Sequence, residues 1–310
     1  MELPLRSRMT SPPHVTTTAA IPALVNPRGG SADKVLEALR NDARFALEEL
    51  EPEEIPGRLR ELVDSGATRI AVSGGDGTIS AAATVLADGQ VELAVIPGGT
   101  LNHLCRDHDI PLDAKEAAEL AATGTAERID IAEVDGKLFL NTSSVGAYVT
   151  FVRTREQLER KKIPYRVASI FAAVRILFRL PRFQVHLEVN GEKRSYRASL
   201  VFVGVGERDF EAPKLGARKP HGRRGLHVIV VQGSTRARLF AIAMAAIVRG
   251  LDARIDNVDS FIVDQCTVDL PRPEGNVATD GEISLMRAPL EYRLRRDALL
   301  LVVPATDPVS

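Results

Sequence analysis

Three short turns in this 310-residue chain combine glycine with groups that can meet an anion. Asn26-Pro27-Arg28-Gly29-Gly30 follows the apolar run IPALV. Gly74-Gly75-Asp76-Gly77-Thr78 follows RIAVS, and Pro97-Gly98-Gly99-Thr100 follows ELAVI. Glycine permits tight backbone angles and lets a phosphate come close to the main chain. Backbone N–H groups there, and the start of a following helix, can hold phosphate oxygens. Thr78 adds a hydroxyl donor. Asp76 would repel a phosphate by itself, so its place in the loop suits a carboxylate that holds magnesium or orients a hydroxyl. With Asn26, Arg28, Thr100 and Asn102, the turns would surround one anion-sized space, provided that parallel strands bring their ends to one edge.

The surrounding pattern supplies such strands. IPALVNP (21–27), TRIAVSG (68–74) and ELAVIPGG (92–99) read as short buried strands. ADKVLEALR, residues 53–65, ISAAATVLA and residues 113–122 read as helices, while RFALEEL is ambiguous between strand and helix. This alternation predicts a parallel α/β sheet, in which ligands bind at the carboxyl ends of the strands. After about residue 125 the pattern changes. ERIDIAEVDGKLFLNTSSVG predicts two strands about a turn at Asp135-Gly136, and FQVHLEVNGEKRSYRASLVFVGVG predicts a hairpin turning at Asn190-Gly191. Further strands fit GLHVIVVQG, SFIVDQCTVDLP and EISLMR, with helices near 155–179 and 235–250. The expected organisation is a disordered leader (1–18), an α/β nucleotide-binding domain (19–127) and a mainly antiparallel, β-sandwich-like domain (128–304).

Composition narrows the function. Forty basic and 41 acidic residues leave a net charge of -1, so no bulk field recruits nucleic acid. Aromatic residues are 5% of the chain and tryptophan is absent, which argues against stacking platforms. Cys105 and Cys266 form no disulfide framework and fit a reducing, cytoplasmic compartment. The turns carry neither a GxGxxG fingerprint nor a GxxxxGK[ST] loop. Taken alone, the residues specify a phosphate or nucleotide site and leave the reaction open.

VNPRGG, SGGDGTISAAATVL, IPGGTLNHLCRDHDIP and the late ATDGE together resemble the diacylglycerol kinase catalytic domain family, which includes bacterial lipid kinases and sphingosine kinases. GGDGT alone is shared with NAD kinases, and the PGGTLN element points to the lipid-kinase branch. The resemblance covers about residues 21–290. It implies ATP and Mg²⁺, and transfer of the γ-phosphoryl group to the hydroxyl of a lipid such as diacylglycerol. By position, Asn26 and Arg28 match the first phosphate-side turn. Gly74, Gly75, Asp76, Gly77 and Thr78 match the nucleotide loop, and Gly98, Gly99, Thr100 and Asn102 match the second phosphate-side segment. Asp280, Gly281 and Glu282 match the late D-G-E element, with Glu282, ahead of Asp280, as the base that takes the hydroxyl proton. Read without the resemblance, Asp280-Gly281 is a hairpin turn before EISLMR.

Two positions depart from the family's pattern. HGRRGLHV (221–228) carries Arg223, Arg224 and His227 where many bacterial members have the carboxylates of a structural magnesium site. His103 stands where an acidic residue is more usual. A noncatalytic nucleotide-binding regulator and an NAD kinase-like enzyme are therefore the alternative readings. The partners implied are a lipid alcohol and, transiently, an anionic membrane surface; a homo-oligomer is left open. Residues 151–183 hold nine Arg or Lys and two Glu among bulky apolar residues, a pattern that suits core packing with arginines reaching outward, or contact with anionic lipid. LFAIAMAAIVRG reads as core or as the border of an acyl pocket. The run from Glu48 to Glu54 reads as a solvated surface.

Overall fold

The computed structural model describes residues 20–161, 163–164, 167–168, 171–172, 182–209, 217–232 and 258–305. The leader and LFAIAMAAIVRG lie outside these residues, as does much of the basic segment after 161.

The first half is an open parallel sheet. Strands β1 (Ile21–Val25), β2 (Phe45–Glu49), β3 (Arg69–Gly74) and β4 (Glu92–Pro97) lie in the order β2-β1-β3-β4, and each neighbouring pair is parallel. Alternation along these strands divides their side chains between two apolar layers, as expected when both faces are covered. Leu24, Val72, Leu93 and Val95 pack with Leu59 and Leu62 of α2 (Ile55–Asp64) and with Ile79, Ala82, Ala83 and Leu86 of α3 (Asp76–Leu86). Ala23, Val25, Ala71, Ala94 and Ile96 pack with Val35, Leu36 and Leu39 of α1 (Ala32–Arg40) and with alanines of a helix over Ala114–Thr123. RFALEEL, ambiguous by composition, is therefore a strand because the parallel ladder to β1 fixes it, with Ile21 opposite Phe45 and Val25 opposite Glu49. Chain order reverses direction between β1 and β3, which makes their carboxyl ends the switch point of the sheet.

The short helix α4 (His103–Asp107) and then α5 (Ala114–Thr123) lead into the second half. Its strands are β5 (Thr125–Val134), β6 (Lys137–Phe139), β7 (Thr142–Gly146), β8 (Phe183–Val189), β9 (Glu192–Val205), β10 (Leu226–Gln232), β11 (Val258–Val263), β12 (Gln265–Asp269), β13 (Glu274–Thr279), β14 (Glu282–Arg287) and β15 (Leu290–Val303); helix α6 spans Ala147–Glu159. Pairing among the strands of this half is antiparallel. The expected α/β plus antiparallel β fold class is thus observed.

Both hairpin turns read from Asx-Gly pairs are present, with positive φ at each member: 47° and 80° for Asp135-Gly136, and 51° and 79° for Asn190-Gly191. SFIVDQCTVDLP divides at Asp264 into β11 and β12, which lie in different parts of the sheet. The core of this half gathers valines and leucines of β8, β9, β10 and β12 around Phe139 and Tyr292, whose rings meet edge to face at 6.2 Å.

Strands β13 and β15 carry no expectation from sequence. β15 joins the halves: Tyr292 opposite Val134 belongs to the second core, while Leu299 and Leu301 belong to the first, and Leu301 lies in parallel register with Leu93. A register shift between Arg295 and Leu299, with Asp297 at φ 50°, lets one strand serve both.

Candidate active site

Asn26 links the first two turns. It is buried, its Oδ1 accepts from the Arg28 N–H at 2.9 Å, and its Nδ2 donates to Thr78 Oγ1 at 3.1 Å. Because that oxygen accepts from Asn26, the Thr78 hydroxyl proton can be donated elsewhere. The third turn packs backbone to backbone against the other two. Gly98 N–H donates to the Gly74 carbonyl at 3.0 Å, and Ser31 N–H donates to the Gly98 carbonyl at 3.3 Å. A β-carbon on Gly29 would stand 2.9 Å from the Gly98 oxygen, and one on Gly99 would stand 2.7 Å from the Gly75 α-carbon. Side chains at either position would push the turns apart, so glycine is required by proximity.

Asn102 closes the third turn. At φ 50° it is left-handed, and its side chain both accepts from Gly99 N–H (3.0 Å) and donates to Gly99 O (2.9 Å). Asp76, in the first turn of α3, accepts from His103 N–H at 2.7 Å and so ties α3 to α4.

The late D-G-E element comes from the other half. Asp280 and Gly281 form the β13–β14 turn, with φ of 46° and 88°. The buried Asp280 carboxylate accepts from three main-chain N–H groups, those of Leu140 (2.7 Å), Asn141 (2.9 Å) and Thr142 (3.0 Å). Burial raises its pKa; those three bonds oppose the rise and the charge of Asp76 adds to it. With its oxygens so engaged, Asp280 anchors the hairpin, which brings Glu282 to the glycine loop. Glu282 Oε1 would be 2.8 Å from a β-carbon on Gly77. Lys137, next to the Asp135-Gly136 turn, sets its Nζ 3.6 Å from Glu282 Oε2 and donates to Ser284 Oγ at 2.8 Å. Sequence reading missed Lys137, and only the position of its hairpin could have pointed to it.

Between the halves lies an open cleft of about 490 Å³. Asn26, Arg28, Gly75, Gly77, Thr78, Gly99 and Glu282 line it. Of the other residues expected at the site, Gly74 and Gly98 stand behind its wall as packing contacts, Asp76, Asn102 and Asp280 hold the turns, and Thr100 is exposed. Arg28 is engaged at the rim, 2.7 Å from Glu51 and 3.7 Å from Glu53. Part of the acidic run thus meets cations, since Glu48 and Glu49 also pair with Arg58 and Arg40.

The basic segment 221–228 meets protein carboxylates. Arg224 bonds to Asp130 and Asp297. Burial would raise Asp130, but the bonds from Arg224 and the Asp297 N–H hold it below the usual carboxylate range. Glu207 receives the Arg223 N–H at 3.0 Å and Lys219 Nζ at 3.2 Å, and is lowered to about 2. His227 Nδ1 accepts from Arg208 N–H at 2.9 Å and its Nε2 meets Ser260 Oγ at 2.7 Å; burial pushes it down to about 4. Arg208 reaches across to Asp107 at the end of α4 (2.5 Å). Among the described residues no group of three His, Cys, Asp or Glu side chains could hold a metal ion.

Interlocked glycine turns at the switch point of a parallel sheet are faced by a carboxylate from an antiparallel half. Residues 21–134 match the model of the diacylglycerol kinase catalytic domain. It is 33% identical over 187 residues to a protein of Pseudomonas savastanoi pv. phaseolicola named "Probable lipid kinase YegS-like". That alignment covers 58% of this chain and 57% of the relative, so the match spans a little over half of the relative's length. A like-named protein of Pseudomonas aeruginosa is 41% identical over 106 residues, 33% of this chain and 34% of that one. The crystal structure of a diacylglycerol kinase from Bacillus anthracis str. Sterne has a TM-score of 0.67 at 20% identity, over 93% of this chain and 98% of that one. A second crystal structure from that organism reaches 0.73 at 22% identity, over the same shares. At these identities the likeness is one of fold.

Proposed function

We propose that the chain is an ATP-dependent lipid kinase, which transfers the γ-phosphoryl group to the hydroxyl of a lipid such as diacylglycerol. We read residues 19–127 as its nucleotide half and 128–304 as its acceptor half. The observation that carries the reading is the approach of Glu282 to Gly77 at an open cleft walled by the three turns.

In this reading, main-chain N–H groups of Gly75 and Gly77 and the Thr78 hydroxyl bind phosphate oxygens. Arg28 meets negative charge at the rim. The acceptor oxygen attacks the γ-phosphorus, the bond from that phosphorus to the β–γ bridging oxygen breaks, and the hydroxyl proton passes to Glu282. Lys137 holds the Glu282 carboxylate toward the loop. Little covalent help is needed, because placement and charge neutralisation dominate phosphoryl transfer.

Mg²⁺ fits the residues in a restricted way. Asp76 has one oxygen bonded to His103 N–H, which leaves the second for a metal, and among the described residues no group of three His, Cys, Asp or Glu side chains could hold the ion without phosphate. A magnesium ion would be held by Asp76, phosphate oxygens and water, and would neutralise phosphate charge.

No described helix is long and apolar enough to cross a membrane. The basic residues of 151–183 favour a peripheral visit to an anionic surface from the cytoplasm. The open cleft favours catalysis over a noncatalytic regulator. The test is transfer of labelled phosphate from ATP to a panel of lipid alcohols, with Asp76→Asn and Glu282→Gln as controls. Both substitutions are expected to lower turnover at least about a hundredfold; unchanged turnover in both overturns the assignment.

A further inference from the structure

Two carboxylates fix the geometry of the cleft, one in each half, and main-chain N–H groups hold both. Asp76 accepts from His103, and Asp280 accepts from Leu140, Asn141 and Thr142. One buried side chain reaches both holders. Arg208, just beyond β9, donates from Nη1 to Asp107 Oδ2 at 2.5 Å. Its Nη2 donates to the Asn141 carbonyl at 3.0 Å and to the Val205 carbonyl at 2.7 Å. Asp107 ends α4, the short helix that His103 begins. Asn141 is gripped on two sides, its N–H by Asp280 and its carbonyl by Arg208. An unbroken run of contacts therefore leads from Asp76 through α4 and Arg208 to Asp280 and, two residues on, to Glu282.

The surroundings are built for this side chain. A β-carbon on Gly204 would stand 2.6 Å from Arg208 Cγ, so glycine there leaves room for the arginine stem. The Arg208 N–H is itself fixed by His227 Nδ1 at 2.9 Å. The end of α4 is clasped a second time by Arg218, whose Nη1 meets His108 Nε2 at 3.0 Å and whose N–H points to Asp107 Oδ1 at 3.4 Å. A carboxylate and two carbonyls converge on Arg208, and a planar guanidinium with its fixed fork of donors can serve all three. A buried ion pair adds little net stability over apolar side chains of similar volume. What it supplies at a junction between two halves is a fixed geometry.

We propose that Arg208 is a positioning residue for phosphoryl transfer: by tying Asp107 to Asn141 it sets where Glu282 stands relative to Asp76. Arg208 is not among the residues that line the cleft and acts through α4 and the segment 140–142. The proposal rests on the kinase reading above for its chemistry, while the tie itself has a readout that needs no substrate.

Removing one partner of a buried pair is strongly destabilising, whereas replacing both by apolar groups of similar volume is often neutral. The test therefore uses the double variant Arg208→Met/Asp107→Leu, with Arg208→Lys beside it. The double variant is expected to melt at or above the parent's temperature. Its hydrogen exchange is expected to be about five- to tenfold faster in peptides containing His103, Asn141 and Asp280, and unchanged over residues 20–30. With the best acceptor of the lipid-alcohol panel above, its kcat is expected to fall about 10- to 100-fold, while KM for ATP and for the acceptor stay within about twofold. Arg208→Lys keeps the charge opposite Asp107 and loses the fork, so its kcat is expected to lie between the two.

A double variant with the parent's kcat, a change in KM alone, or faster exchange confined to residues 205–209 each overturns the proposal. If the double variant does not fold, the same readings on Arg208→Lys decide it. A parent that transfers phosphate to no alcohol of the panel removes the kinase reading, and the exchange pattern then decides the tie between the halves by itself.

Discussion

Glu282 and Gly77 come from opposite halves of the chain, and the carboxylate oxygen of one lies 2.8 Å from where the other's β-carbon would be. This closeness means that the loop and the carboxylate are fitted to one another. Gly77→Ala displaces Glu282 while leaving the helical backbone of α3 intact. Turnover is expected to fall about 10- to 100-fold, the scale of misplacing a reacting group by about 1 Å, with nucleotide affinity nearly unchanged. Steady-state kinetics and nucleotide titration separate the two.

Asn26→Ala removes the bond that joins the first and second turns. The Thr78 oxygen and the Arg28 N–H both lose a partner in a partly buried place. The expected cost is about 1–3 kcal/mol of stability, read by denaturant unfolding, together with weaker nucleotide binding.

Asp280→Ala leaves three main-chain N–H groups without their acceptor. A loss of at least about 3 kcal/mol is expected. Asp280→Asn, which keeps one acceptor oxygen, is expected to lose less. If Asp280 anchors the hairpin as its contacts indicate, the losses in turnover and in melting temperature rise together across the two variants.

His227 makes stability depend on pH with a defined sign. Its folded pKa is lowered to about 4 from an ordinary value of 6.5, chiefly by burial. Between those values the unfolded chain binds the proton and the folded one does not, so stability rises with pH from about 4 to 6.5 and is level above it. His108, pushed down to about 3 by burial beside Arg218 and Arg208, acts in the same direction. Asp280, raised above 3.8, opposes both at the acid end. The difference between parent and His227→Gln isolates one histidine. The variant's unfolding free energy is expected to climb less steeply over this window, by at most about 1.4 kcal/mol per pH unit. Equal slopes would show that His227 does not titrate as its surroundings require.

The elements around the site were legible because local signals agreed there. Valine-rich runs end at glycine, and alanine-rich helices follow, so β1, β3 and β4 and their turns could be placed to within a residue or two. β2 was not decided by composition, since FALEE alternates weakly; its ladder to β1 decides it. β13, EGNVAT, has a glycine and few bulky residues, and it becomes a strand by pairing between β7 and β14. β15 alternates charged and apolar residues and then turns wholly apolar, and the two patterns reflect membership of two different cores. At the site, residue types and turns could be read, but the ion pairs could not. Nothing local links Lys137 to Glu282, Arg28 to Glu51, or Arg224 to Asp130, because each contact depends on long-range folding.

The two-core membership of β15 also bears on biogenesis. The parallel sheet of the first half is flanked beside β4 by residues near 301, about 200 positions downstream in synthesis. While the ribosome is still making the second half, β4 has an unpaired edge and a partly uncovered apolar layer. Final closure of that sheet is a late, non-local event, and a nascent chain stalled before β15 would offer chaperones, or a neighbouring nascent chain, a vacant strand position.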